Sequence, residues 1–148
     1  MIDNTYIENK LISIKSYYDE LTEILNYSDE EIKSDFKLLR ATERLVQLIV
    51  DEIIDINKHI IKYGRLQVPE DTFSTFLVLG INNILPPEFA KRLAPVVGLR
   101  NRLVHRYEKI DVDLLLKELR RNSSDFEEYL RYIFQYIQDL SKDIYPRR

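Results

Sequence analysis

The chain has no cysteine, so it can form no disulfide and no thiolate metal site. It has two histidines, His59 and His105, which lack metal-ligand spacing; without cysteine to help, a zinc finger is excluded. Three glycines and five prolines are too few turn-formers for an all-β sandwich or barrel. No long apolar run exists. The longest uncharged stretch, residues 72–87, holds Ser, Thr, Asn, Gly and Pro and cannot span a membrane. The N-terminus, MIDNTYIENK, has neither a basic segment nor an apolar one behind it, so a secretory signal is not indicated and a cytoplasmic location is expected.

What remains is a chain of 148 residues, 45% hydrophobic and 32% charged, which fits a single domain, residues 1–148, with a packed core. The net charge of −3 argues against a general nucleic-acid binder, yet the charge is unevenly spread. Residues 1–36 carry nine acids and three bases. Residues 88–109 carry Lys91, Arg92, Arg100, Arg102, Arg106 and Lys109 against Glu88 and Glu108. This segment is either a local anion site or a basic solvent face.

Helical spacing dominates the chain. Ile7, Leu11, Ile14, Tyr18, Leu21 and Leu25 recur every three or four residues and predict a helix over 5–26. Ser28 with Glu31 predicts a capping box and a second, long helix from Asp29 to Tyr63, stopped at Gly64. The middle of that helix is apolar nearly all round, as a centrally packed helix must be. A ridge of Glu43, Gln47, Asp51 and Asp55 crosses it, with Arg40 and Arg44 beside it, facing either solvent or a polar cleft. Val68-Pro69-Glu70-Asp71 starts a third, shorter helix, with Phe73, Phe76, Leu77 and Gly80 expected toward the core. Another starts at Pro87 and is bent near Pro95. Asp111 or Asp113 caps a fifth segment. Ser123 or Ser124 caps a last helix to Ile144, with Phe126, Leu130, Ile133, Phe134, Ile137 and Leu140 on one face. The expected architecture is all-α, a bundle of five to six helices.

The segment Gly98 to Tyr107 gathers an Arg, an Asn, a His and a Tyr at the centre of the basic patch. Asn101 and His105 are four apart and share a helix face, so Asn101 can hold one ring nitrogen and fix the tautomer of the other. Arg100 and His105 are five apart, about 140° around a helix and roughly 7.5 Å along it. They converge on one atom only if the helix breaks between them or if a second copy of the chain supplies the complement. A paired cleft with two Arg and two His suits cleavage of an RNA phosphodiester. His exchanges protons near neutral pH, Arg offsets charge on phosphorane oxygens, and attack by the neighbouring 2′-OH needs no metal or cofactor. The plain alternatives are a histidine facing a helix C-terminus and an Arg100 salt bridge to Glu43 or Asp51.

Arg100-Asn101-Arg102-Leu103-Val104-His105-Arg106-Tyr107 resembles the R-N-x-L-V-H-x-Y signature of HEPN-domain proteins, specifically the HepT-like toxins. Arg40-Ala41, Glu43, Gln47, Asp51 and His59-Ile60 are similar to the family's second helix, and the short helix after Pro69 suits it too. The resemblance implies an all-helical homodimer and a metal-independent endoribonuclease toxin of a type VII-like toxin–antitoxin pair, without a cofactor. It makes Arg100 and His105 of both protomers catalytic, Asn101 a support for His105, and Tyr107 the AMP acceptor for a minimal nucleotidyltransferase antitoxin. Glu43, Gln47, Asp51, Arg102 and Arg106 become candidate cleft-lining residues. RNA is the implied substrate. The competing expectations are a non-catalytic HEPN-like dimer that binds a nucleotide or its partner protein, and a purely structural helical oligomer.

Overall fold

A computed structural model describes residues 1–105 and 109–144 of the chain, without side-chain detail at the last two. The fold is all-α, with eight helical segments among the described residues: α1 (Asn4–Ile24), α2 (Asp29–Ser34), α3 (Phe36–Tyr63), α4 (Thr72–Ile81), α5 (Pro87–Leu93), α6 (Val96–His105), α7 (Val112–Asn122) and α8 (Ser124–Ile144).

The segments exceed the expected five to six because two predicted helices are each divided. The long second helix breaks at Asp35, whose backbone is extended (φ −113°, ψ 102°) and whose carboxylate accepts from the Lys37 N–H to start α3 afresh. A side chain that caps so well competes with continuing the helix. The fourth is divided at Ala94-Pro95, where proline cannot donate to the preceding turn. The other boundaries follow the side-chain caps. Ser28 and Glu31 form the reciprocal capping box, Asp71 accepts from the Ser74 N–H, and Asp111 accepts from the Leu114 N–H. Gly64 caps α3 as expected but stays right-handed; the left-handed residue that turns the chain is Arg65 (φ 54°). The Leu66 N–H then donates back to the Ile61 carbonyl, closing the helix end.

α3 is the centre of the bundle. α1, α2, α4 and α6 pack on it, α8 packs on α1, α5 on α4, and α7 on α2. This is why α3 is apolar nearly all round: Val46, Ile49, Val50, Ile53, Ile56 and Ile60 are fully buried. Two expected core aromatics lie outside the core. Phe73 is 40% exposed and Phe134 51%. Phe73 sits about 120° from Leu79, the middle of the buried face of α4, and Phe134 about 80° from Phe126 on α8.

Three helices are also joined by buried polar groups. The Tyr129 hydroxyl on α8 donates to Asn57 Oδ1 on α3 at 2.6 Å, and Asn57 Nδ2 donates to Thr75 Oγ1 on α4 at 3.2 Å. Thr75 in turn donates to the Thr72 carbonyl at 2.7 Å. Burial pushes the Tyr129 phenol well above its ordinary pKa, so it remains a donor at any physiological pH. At the far end of the chain α7 clasps the α1–α2 corner. Arg120 donates to the carbonyls of Leu25 and Tyr27 and to Asp29 Oδ1, each at 2.8 Å.

Candidate functional site

α6 lies against α3, and this contact brings the basic segment to the acidic ridge. Arg100 Nε donates to Asp51 Oδ1 at 2.6 Å, and Arg100 Nη1 to Asn101 Oδ1 at 3.3 Å. Both members of the ion pair keep about a third of their side-chain surface in contact with solvent (29% for Arg100, 32% for Asp51), so the guanidinium is held but reachable. Together they open on a polar cleft of about 340 Å³, lined by Asp51, Ile54, Asp55, Lys58, Thr72, Arg100 and Asn101.

α6 runs unbroken from Val96 through Arg100 to His105. The helix therefore does not break between the two, and one chain leaves them about 140° apart. Of the two routes to convergence, only a second copy remains. His105 is exposed, with Arg102 beside it in the last turn.

The ridge on α3 divides in function. Glu43 is nearly buried and accepts from Arg40 at 2.8 Å, Gln47 is half-buried one turn before Asp51, and neither lines the cleft around Arg100. Asp51 binds Arg100. Asp55, one turn on, is held by Lys10 of α1 at 3.0 Å, and Lys10 also reaches Glu52 at 3.4 Å. Burial lowers the Lys10 pKa, but the hydrogen bond and charge of Asp55, with Glu52 and Tyr6, outweigh it and leave the pKa raised.

Arg102 turns away from this cleft. It folds back toward Gly98 and lines a separate, mostly apolar pocket of about 450 Å³ with Leu99, Leu114 and Phe126. Two residues along a helix is about 200°, so Arg100 and Arg102 must face opposite sides. Arg106 and Tyr107 lie outside the described residues.

Lys58 and Thr72 were not singled out in the sequence. Lys58 was legible in principle, since it continues the Asp51–Asp55 stripe at the next helical step. Thr72 had no such signal, because only the docking of α4 on α3 brings it to the cleft.

One turn beyond Asp55 on α3, the Asp3 N–H donates to His59 Nε2 at 3.0 Å, and the His59 ring stacks on Tyr6 with centroids 4.5 Å apart. Burial lowers the His59 pKa; the nearby N-terminal amine and Lys62 act in the same direction, and Asp3 opposes them.

Comparison with known proteins agrees with the motif. The family model described as "Ribonuclease HepT-like" matches residues 14–133. The chain is 37% identical to the tRNA nuclease HepT of Aphanizomenon flos-aquae, over 96% of this chain and 97% of that protein. It is 29% identical to the mRNA nuclease HepT of Shewanella oneidensis, over 88% of this chain and 97% of that one. A solved structure of a tri-AMPylated Shewanella oneidensis HEPN toxin in complex with MNT antitoxin superposes with a TM-score of 0.82 at 27% identity, covering 90% of this chain and 99% of that one.

Proposed function

The chain belongs to the HepT-like ribonuclease family, and on that premise we propose that it is the metal-independent endoribonuclease toxin of a toxin–antitoxin pair. The observation that carries the reading is Arg100 held by Asp51 at a solvent-reachable cleft, on the same unbroken helix as His105. The two nuclease relatives, named for tRNA and mRNA, support RNA as the substrate.

The active unit is a homodimer in which two α6 helices face each other, so that each chain's Arg100 complements its partner's His105. One imidazole takes the proton of a ribose 2′-OH as the 2′-oxygen bonds to phosphorus. The P–O5′ bond breaks, and the second, protonated imidazole delivers its proton to the departing 5′-oxygen. The products are a 2′,3′-cyclic phosphate and a 5′-hydroxyl. The two guanidinium groups offset charge on the non-bridging oxygens, and Asp51 fixes the orientation of each before substrate arrives. Asn101 supports the site by accepting from Arg100 and by its position one turn from His105. The chemistry asks for no cofactor.

Control falls to Tyr107 and a minimal nucleotidyltransferase antitoxin. The AMPylated HEPN toxin solved with its MNT antitoxin supports this reading. AMP on a phenol two residues after His105 in the sequence adds a bulky anion that competes with RNA.

Purified protein incubated with RNA and a metal chelator tests the proposal. Cleavage with cyclic-phosphate ends is expected, and His105→Ala is expected to abolish it while leaving the helical content and the dimer intact. A dimeric wild-type protein that binds RNA and never cuts it would instead establish the non-catalytic alternative.

A further inference from the structure

The cleft around Arg100 continues along α3. Asp51, Asp55, Lys58 and Lys62 follow one another at steps of four, three and four residues, which keeps all four within about 60° of arc and spreads them over about 16 Å. The carboxylates on this stretch are already answered: Asp51 by Arg100, and Asp55 and Glu52 by Lys10. The two lysines are not. Among the described residues no carboxylate oxygen lies within 4.0 Å of either ammonium group, and both side chains are exposed. Lys62 instead lies over the ring of Tyr63, 5.2 Å from its centroid, and Tyr63 meets His59 with centroids 4.6 Å apart. A cation lining the cleft is thus followed by a second cation beside a partly exposed tyrosine.

We infer that Lys58 and Lys62 form a track for single-stranded RNA that leads away from the Arg100 cleft along α3, with Tyr63 offering a surface on which a flanking base stacks. The inference rests on the ribonuclease reading above and extends it to residues that take no part in bond cleavage. The geometry fits a strand better than a duplex. A line of two cations with an aromatic ring is the arrangement that follows one backbone and accepts unstacked bases, and it carries no hydrogen-bond code for sequence. The arrangement also explains how an acidic protein holds a polyanion. With Asp51 held by Arg100 and Asp55 and Glu52 held by Lys10, Lys58 and Lys62 are the charges left on this stretch to meet a polyanion, on a chain of net charge −3.

The test is a Lys58→Ala/Lys62→Ala double variant of the full chain, with Lys58→Arg/Lys62→Arg as the charge-keeping control and a short mixed-sequence single-stranded RNA as probe. Binding is measured as a function of salt, and cleavage as KM and kcat separately. Loss of two phosphate contacts should make the log–log salt slope shallower by about 1.4 and raise KM with kcat preserved, and the arginine variant should behave as the wild type. A double variant with the wild-type salt slope and KM overturns the track while leaving the ribonuclease reading in place. A wild-type protein that binds the RNA without cleaving it removes the ribonuclease reading, and the salt slopes still decide the track. A wild-type protein that neither binds nor cleaves RNA overturns both.

Discussion

Asp51 and Arg100 meet Oδ1 to Nε at 2.6 Å across the contact between α3 and α6, and the same guanidinium reaches Asn101 through Nη1. The pair is partly exposed, so its worth to stability is about 1 kcal/mol or less. In the proposed mechanism the pair orients the guanidinium. Asp51→Asn, which keeps the shape and removes the charge, is expected to change the melting temperature little and to lower kcat for RNA cleavage by about tenfold or more. Arg100→Ala should cost roughly 100- to 1000-fold, the loss of a guanidinium from a developing phosphorane. Equal losses of stability and activity in Asp51→Asn would contradict the positioning role.

Tyr107 gives the second expectation. Co-expression with a minimal nucleotidyltransferase should add mass in whole AMP units, read by intact mass spectrometry, and Tyr107→Phe should show none. Addition that persists in Tyr107→Phe would move the acceptor to another residue.

The buried Tyr129–Asn57–Thr75 chain gives a third. Tyr129→Phe removes the donor to Asn57 Oδ1 and leaves that oxygen enclosed without it, which costs about 1–3 kcal/mol. Chemical denaturation should register this, and the cleavage rate of the folded variant should be unchanged.

His59 gives a pH dependence with a definite sign. Its Nε2 accepts the Asp3 N–H only when unprotonated, and burial holds its pKa below the ordinary histidine value. The unfolded chain therefore binds a proton at this site more readily than the folded one. Stability from His59 is fully present above about pH 6.5 and is lost as the pH falls from there toward the folded pKa. Urea titrations at pH 7.5 and 5.5 should show the decline, and His59→Gln should flatten it.

Gly80 faces α5 closely: a Cβ there would stand 3.0 Å from the Ala90 Cβ and 3.4 Å from the Pro87 Cα. Gly80→Ala gains about 1 kcal/mol in helix propensity but overpacks a contact with a fully enclosed Ala90, at a cost of about 1–3 kcal/mol. A net destabilisation of about 1 kcal/mol is expected in a thermal melt.

The sequence carried the all-α class, the capping box at Ser28, Asp111 as one of two candidate caps and the basic segment with its motif, because each depends on neighbours a few residues away. It did not carry what depends on packing. Asp35 could continue a helix or cap the next, and the docking of α2 and α3 decided for the cap. Phe73 and Phe134 read as core from their type, but the angular position of each leaves it outside the buried face. In the site, the spacing separated Arg100 from His105 and made Asp51 one of two candidate partners for Arg100. Choosing Asp51 over Glu43 required the position of α6 along α3. Arg102 faces the far side because it is two residues from Arg100, a consequence of spacing that grouping the basic residues by type passed over.

The clasp of Arg120 on the α1–α2 corner has a consequence in time. The carbonyls of Leu25 and Tyr27 wait for a side chain that is synthesised more than ninety residues later, and Asn4 likewise meets Ser141 near the other end of the chain. At ordinary translation speeds that interval is roughly 5 to 20 seconds. A nascent chain therefore cannot close its first corner until the ribosome has passed α6, and fragments released early lack the closure. A cell that makes this ribonuclease has that interval before a finished body exists.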